Sequence, residues 1–145
     1  MKIALGADHA GFELKEAVKK HLLSEGYEVL DEGTYSEDRC DYPDFAEKAA
    51  MDVTSGKASF GILCCGTGEG ISIAANKIDG IRCGIGYDLE VSRLIREHNN
   101  ANMVAFGSRF MKEKDVLERV DAFLTTPFEG ERHAGRVQKI IDLEK

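Results

Sequence analysis

Two adjacent thiols precede a glycine-rich loop in the segment CCGTGEG, residues 64–70. Glycines leave the backbone N–H groups of such a loop open to a ligand, and the start of a helix adds positive potential there. The same potential lowers the pKa of a nearby cysteine and so favours the reactive thiolate. The segment therefore predicts a pocket for negative charge, either a phosphate or a developing oxyanion, beside one thiol.

The familiar nucleotide-binding glycine motifs do not fit this loop. A dinucleotide-binding GxGxxG pattern that starts at Gly66 needs a third glycine where the sequence has Ile71, and no GK[ST] follows for a P-loop. Free cysteine is also often buried as a small hydrophobe, so an ordinary structural role remains open for both thiols. Because neighbouring strand residues point to opposite faces, at most one thiol reaches the pocket, and Cys65 is the better candidate.

The rest of the chain alternates short apolar runs with amphipathic stretches, a pattern typical of repeated βα units. The predicted strands are 2–8, 27–31, 60–65, 81–86 and 102–107, and the predicted helices are 12–26, 43–56, 71–76, 89–100, 112–124 and from about 131 onward. In the last helix, Val137, Ile140 and Ile141 are spaced for burial. Five short apolar strands suit a parallel sheet covered by helices on both faces, with ligands bound beyond the carboxyl ends of the strands.

Composition limits the class of protein. A length of 145 residues predicts a single domain, residues 1–145, and 43% hydrophobic with 31% charged residues is typical of a globular protein. The net charge of −7 gives no reason to expect nucleic acid as a partner. No long apolar run or signal-peptide pattern is present, so we expect no membrane partner and a cytoplasmic location. The four cysteines lack paired CxxC spacing, so they are interpreted as free thiols and no metal site is predicted.

Five segments carry a family resemblance: GADHAGFELK, DYPDFA, CGTGEGISIAANKIDGIR, HNNANMVAFGSR and GERHAGRV. In this order they closely resemble the type B ribose-5-phosphate isomerases, which share their fold with the galactose-6-phosphate isomerase subunits. The resemblance implies a three-layer α/β/α, Rossmann-like fold with a five-stranded parallel sheet. It also implies an aldose–ketose isomerase of the pentose phosphate pathway, acting through an enediolate without a cofactor. Its partners would be a sugar phosphate and further copies of itself, in a homodimer or homotetramer with shared active sites.

The same resemblance implies roles for individual residues. Cys65 is the base that moves a proton between C1 and C2 of the opened sugar, and the amides of the glycine loop hold the enediolate oxygen. The other matched catalytic residues are Asp8, Thr67 and His98. The matched substrate-binding residues are His9, Tyr42, Gly66, Gly68, Glu69, Gly70, Asn99, Arg109, Arg132 and Arg136, of which His9 and the three arginines form the phosphate-binding set.

Alternatives remain open at several of these positions. Asp8 could simply cap the first helix, and His98 could complement a helix dipole. Glu69 stands where the family pattern leads us to expect a small or apolar residue, which makes it a rival base to Cys65. His133 is turned about 100° from Arg132 on an ideal helix and is left out of the predicted site. A related substrate, allose 6-phosphate or galactose 6-phosphate, and a non-catalytic sugar-phosphate-binding module are the competing functions.

Overall fold

The computed structural model describes residues 1–144 and contains one sheet of five parallel strands. The strands are β1 (Lys2–Ala7), β2 (Glu28–Asp31), β3 (Phe60–Cys65), β4 (Cys83–Ile85) and β5 (Met103–Gly107), in the spatial order β2-β1-β3-β5-β4. The strand that ends at Cys65 is therefore the central one. Its carboxyl end lies where open parallel sheets bind ligands.

Residues 1–144 contain six helices, and helices pack on both faces of the sheet. They are α1 (Phe12–Ser24), α2 (Tyr42–Thr54), α3 (Glu69–Asn76), α4 (Leu89–Glu97), α5 (Glu113–Thr125) and α6 (Arg132–Ile141). One buried core joins Val18 of α1 and Phe123 of α5 to one face, and a second joins Ala50 of α2 and Ile71 of α3 to the other. The predicted three-layer α/β/α fold with five parallel strands is confirmed. No helix within residues 1–144 has the length and apolarity needed to cross a bilayer.

Strand alternation separates the two adjacent thiols. Cys64 packs in the core beneath α1 and α5, whereas Cys65 packs in the core beneath α2 and α3. Helix α2 lies very close to the sheet on this second face, because a Cβ added at Gly6 would come within 2.8 Å of the Phe45 carbonyl oxygen. This close approach holds the first turn of α2, with Tyr42, near the ends of the central strands.

The predicted burial of the last helix is only partly correct. Val137 is buried as predicted, but Ile140 and Ile141 are 44% and 36% exposed, so the prediction is wrong for these two residues. The buried stripe of α6 ends at Val137 because the following turn borders an open cavity of about 630 Å³ rather than another helix or strand. Ile140 and Leu143 line this cavity, which we call the edge cavity.

Candidate active site

The glycine loop joins β3 to α3 and surrounds the sulfur of Cys65. Gly68 has φ +85°, a left-handed conformation that glycine adopts without steric cost, and α3 begins at the next residue. This turn directs the Gly68 N–H at the Cys65 Sγ, 3.1 Å away. Cys65 is only 4% exposed, so its sulfur lies beneath the loop. A backbone donor at this distance stabilises a thiolate more than a thiol.

Two other thiols are poor candidates for chemistry. Burial raises the pKa of Cys64 far above its ordinary range, and burial raises the pKa of Cys83 to about 12. Both side chains therefore remain protonated thiols at neutral pH. Cys65 is the thiol that lies both at the end of the central strand and against the glycine loop.

A cavity of about 540 Å³ opens beside the glycine loop, and we call it the loop cavity. It brings together five residues predicted from the sequence, namely Asp8, His9, Tyr42, Gly66 and Arg109. Cys65 itself does not form part of the cavity wall, because the backbone of the adjacent Gly66 does. The sulfur thus lies directly behind the wall rather than projecting into the space.

Asp8 and His9 are fixed by the turn between β1 and α1. The Oδ1 atom of Asp8 accepts the Gly11 N–H at 3.0 Å, so this buried carboxylate orders the entry to α1. The Nδ1 atom of His9 lies 3.3 Å from the Cys40 N–H and accepts from it. The neutral ring therefore carries its proton on Nε2, which can donate to a phosphate oxygen.

The glycines also make room for two side chains of the cavity. A Cβ added at Gly70 would lie 2.6 Å from Cζ of Tyr42, and one at Gly66 would lie 3.0 Å from Nη1 of Arg109. The Tyr42 ring and the Arg109 guanidinium thus rest on bare backbone. The Arg109 N–H also donates to the Gly66 carbonyl at 3.0 Å, which ties β5 to the loop. A guanidinium held against loop amides forms a site for an anion.

Thr67 and Glu69 lie on the exposed side of the loop. The Glu69 N–H donates to Thr67 Oγ1 at 3.1 Å, and the Gly68 N–H donates to the Cys65 sulfur. Two of the loop amides are therefore used by the loop itself. The amides of Gly66, Thr67 and Gly70 are the ones that remain to be assigned to a substrate oxygen.

A second group, made of four predicted residues and the unpredicted His133, lies around the end of α4 and the start of α6. We call it the histidine–arginine cluster, and it comprises His98, Asn99, Arg132, His133 and Arg136. The imidazole rings of His98 and His133 are stacked, with centroids 4.2 Å apart and planes inclined by 16°. Burial lowers the pKa of His133, and the charge of Arg132 lowers it further, so this ring is neutral at neutral pH.

The histidine–arginine cluster and the loop cavity belong to opposite edges of the sheet. Helix α4 ends just before β5, so His98 lies near Met103 at the start of that strand, whereas Gly107 at its end pairs with Cys65. The four residue steps between Met103 and Gly107 span roughly 13 Å. A single chain therefore does not bring His98, Asn99, Arg132 and Arg136 to the loop cavity, and Asn99 instead lines the edge cavity.

The histidine–arginine cluster favours an anion over a metal ion. One ring nitrogen of His98, one ring nitrogen of His133 and a carboxylate oxygen of Glu129 lie within 4.8 Å of one another, a donor set that some transition-metal sites use. However, Nη1 of Arg132 lies 3.6 Å from the Glu129 carboxylate and Arg136 adds a second positive charge on the same helix. Because this local charge opposes a divalent cation and attracts a phosphate, we assign no metal here.

Sequence reasoning missed residues in both groups, among them Arg39 and Cys40 in the loop cavity and His133 in the histidine–arginine cluster. Arg39 and Cys40 line the loop cavity, and only their closeness to Tyr42 in the chain pointed to them. His133 was excluded for its angle from Arg132, yet it is 5% exposed and stacks on His98. The sequence did contain a signal for the burial of His133. His133 lies four residues before Val137, so both side chains fall on the same buried face of α6.

Comparison with known proteins identifies relatives along nearly the whole chain. The family model described as Ribose/Galactose Isomerase matches residues 3–140. Ribose-5-phosphate isomerase B of Escherichia coli (strain K12) is 46% identical over 144 residues, which are 99% of this chain and 97% of that protein. The crystal structure of a ribose 5-phosphate isomerase from Thermotoga maritima has a TM-score of 0.95 and 50% identity, covering 97% of both chains. The Mycoplasma genitalium ribose-5-phosphate isomerase B structure with bound ribulose-5-phosphate has a TM-score of 0.93 and 39% identity, covering 99% of this chain and 95% of that one.

Proposed function

The chain belongs to the ribose/galactose isomerase family, and from this premise we propose that it interconverts D-ribose 5-phosphate and D-ribulose 5-phosphate. It does so as an aldose–ketose isomerase with no cofactor. The observation that carries the proposal is the position of Cys65, at the end of the central strand and beneath amides that stabilise negative charge. The ribulose-5-phosphate bound to the Mycoplasma genitalium relative supports the choice of substrate.

Ring opening is the first step in the direction from ribose 5-phosphate. A proton leaves the C1 hydroxyl as another reaches the ring oxygen, and the bond between C1 and the ring oxygen breaks. The products are a C1 aldehyde and a free C4 hydroxyl. We assign these two proton movements to Asp8 and His98, which supply a carboxylate and an imidazole for acid–base work.

Proton transfer between carbons is the second step. The Cys65 thiolate removes the C2 proton, the C1–C2 double bond forms, and O1 becomes the enediolate oxygen. The amides of Gly66, Thr67 and Gly70 stabilise this developing charge, as preorganised donors do in oxyanion sites. The Thr67 hydroxyl carries a proton from O2 to O1, and Cys65 returns its proton to C1. The product is the C2 ketone, and no external electron donor is consumed.

The phosphate is bound by cations from both groups of residues. His9 and Arg109 bind the phosphate in the loop cavity, and His9 donates a hydrogen bond to it from Nε2. Arg132 and Arg136, four residues apart on one face of α6, add two planar guanidiniums suited to a phosphate dianion. Tyr42, Glu69 and Asn99 complete the set of residues that we assign to the sugar.

The active site forms between two copies of the chain. Because the loop cavity and the histidine–arginine cluster belong to opposite edges of the sheet, a second copy must bring its cluster to the first copy's cavity. Exposed apolar side chains at the end of α6, including Ile140 and Leu143, are available for such association. We therefore infer a homodimer or homotetramer of a single isomerase domain, residues 1–145. We place it in the cytoplasm, where phosphorylated sugars are retained.

A panel of sugar phosphates tests this function. Purified protein is assayed for aldose–ketose conversion with ribose 5-phosphate, allose 6-phosphate and galactose 6-phosphate, and the values of kcat/KM are compared. We expect the highest value for ribose 5-phosphate. Binding of the sugar phosphates without turnover of any would contradict the assignment and favour a binding module. Preferential turnover of a hexose phosphate would move the assignment to that substrate.

A further inference from the structure

The stacked pair of imidazoles has one buried and one accessible member. His133 is 5% exposed, whereas His98 is only partly buried at the carboxyl end of α4. A partly exposed side chain at a helix end has several rotamers available. Stacking on His133, with ring centroids 4.2 Å apart and planes inclined by 16°, restricts the rotamers that His98 can adopt. The buried ring therefore acts as a platform that orients the accessible one.

Packing rather than hydrogen bonding holds the platform. Within residues 1–144, Nε2 of His133 is buried and has no hydrogen-bond partner. The nearest carboxylate oxygen, Oε1 of Glu129, lies 3.7 Å away, which is too far for a hydrogen bond. The ring is instead fixed by its position beside Val137 on the inward stripe of α6. A flat apolar ring at position 133 would fill the same space as the imidazole without burying an unpaired polar atom.

Residues with positive φ lie close to both histidines in the chain. Among residues 1–144, the non-glycine residues with positive φ are Asn100 and Glu131, two positions after His98 and two positions before His133. Glu131 has φ 53° and ψ −125°, and the His133 N–H donates to the Gly130 carbonyl at 3.0 Å. These values describe a type II′ turn with glutamate where glycine is usual. Strain of this kind persists where the surrounding structure requires a particular geometry, and here it lies two residues before His133.

We propose that His133 is a positioning residue for His98, with its ring holding the His98 imidazole in the orientation needed to open the sugar ring. The inference rests on the proposed function, because it presumes that His98 acts in ring opening. His133 transfers no proton itself. Its contribution is geometric, and loss of the platform should slow ring opening while leaving the proton transfer at Cys65 intact.

Two reactions of the same enzyme separate these steps. Ribulose 5-phosphate has its carbonyl at C2 and its C5 oxygen phosphorylated, so it cannot close to a furanose. Exchange of its C1 proton with D₂O, followed by NMR, therefore reports proton transfer without ring opening. Conversion of ribose 5-phosphate requires both steps. Wild type should perform both reactions, and a wild type that performs neither would refute the proposed function rather than this inference.

The test compares His133→Ala with His133→Phe. We expect His133→Ala to lower ribose 5-phosphate turnover roughly 10-fold to 100-fold, the cost of a misplaced acid–base group, with exchange within about 3-fold of wild type. His133→Phe restores a flat ring and should keep both rates within about 3-fold of wild type. His21→Ala, a change of a partly buried histidine on α1 outside the histidine–arginine cluster, serves as the matched control and should alter neither rate.

Three results would overturn the inference. Equal losses of turnover and exchange in His133→Ala would indicate a general structural role. Normal turnover in His133→Ala would show that His98 needs no platform. A loss in His133→Phe as large as that in His133→Ala would show that the imidazole nitrogens act chemically. Thermal unfolding of each variant distinguishes these results from misfolding, and His133→Phe carries the test if His133→Ala does not fold.

Discussion

At the scale of single residues, the position of Cys65 depends on one step along a strand. Cys64 and Cys65 are identical in chemistry and adjacent in sequence, but alternation buries Cys64 beneath α1 and α5. Cys65 faces the other side, where the Gly68 N–H reaches its sulfur at 3.1 Å. The order of two residues thus decides which thiol lies against the glycine loop.

A second residue-scale feature is the carboxyl pair of Glu32 and Asp52. Asp52 is buried, and within residues 1–144 its Oδ2 atom has no hydrogen-bond partner. A proton on Glu32 would supply that partner. Hydrogen bonding to Asp52 raises the pKa of Glu32 to about 7, and burial and the charge of Asp52 add to this effect against the opposing lysines.

This pair predicts a pH dependence of stability. The folded state holds the Glu32 proton more tightly than the unfolded state, whose glutamate has a pKa near 4.5. The stabilisation is therefore complete below pH about 4.5 and is lost as the pH rises through about 7. We expect roughly 1 kcal/mol of unfolding free energy to be lost over this range, since solvent screens a partly exposed group.

Urea unfolding at several pH values checks this prediction. Glu32→Gln keeps a donor for Asp52 but cannot titrate, so its unfolding free energy should exceed that of wild type increasingly as the pH rises. Glu118→Gln, on the exposed side of α5, is the control and should follow wild type. Parallel curves for wild type and Glu32→Gln would exclude a shared proton.

At the scale of helices and strands, the sequence predicted the order and type of the elements well. Alternation and amphipathic spacing indicated five strands and six helices because the strands form the buried sheet and helices such as α1, α2, α3 and α5 pack their apolar faces on it. The prediction of burial failed at the end of α6, where the helix no longer packs against the core. Ile140 and Ile141 continue the apolar spacing of α6, but Ile140 borders the edge cavity and both side chains are exposed in a single chain.

The turn into α6 could not be predicted for a related reason. Glutamate does not signal a type II′ turn, which normally takes glycine, and only the packing of His133 and Val137 explains why the chain adopts it. Positive φ at Glu131 costs of order 1–3 kcal/mol.

Relief of this strain is measurable. Glu131→Gly should raise the free energy of unfolding by about 1 kcal/mol, the strain relieved less the added entropy of the unfolded chain. Gln138→Gly in the middle of the same helix should lower it by about 1 kcal/mol, because glycine is a poor helix former. Chemical denaturation of both variants makes the comparison, and a Glu131→Gly protein less stable than wild type would contradict the assigned strain.

At the scale of the whole molecule, the sequence named candidate site residues but did not predict how they are arranged. The segments of the family resemblance named Asp8, His9, Tyr42 and Arg109, and the structure gathers them in the loop cavity. The same segments named His98 and Arg132, which one chain keeps at the opposite edge of the sheet. Spacing along a chain carries no information on contacts between copies. The separation of the named residues into two distant groups could therefore be found only from the structure.

Mixing two inactive variants tests a site built from two chains. Cys65→Ala removes the proposed base behind the loop cavity and Arg132→Ala removes a phosphate-binding cation from the histidine–arginine cluster, so each homodimer should be inactive. In a mixed dimer one site carries both changes and the other carries neither. Random exchange of subunits after partial denaturation and refolding should therefore restore about one quarter of wild-type activity.

The controls for this experiment are each variant refolded alone. Neither should regain activity, and mixing Cys65→Ala with Cys64→Ala should give no more than the Cys64→Ala subunits contribute. If mixing Cys65→Ala with Arg132→Ala restores nothing although mixed oligomers form, each site must lie within a single chain.

Turnover and binding by Cys65→Ala test the central claim most directly. We predict that ribose 5-phosphate turnover falls by roughly 1,000-fold or more while ribulose 5-phosphate binds within about 3-fold of its wild-type affinity, because the thiolate acts on the proton rather than on binding. Cys64→Ala and Glu69→Gln should both retain most of their activity. Substantial turnover by Cys65→Ala, together with its loss in Glu69→Gln, would contradict the claim and identify the glutamate as the base.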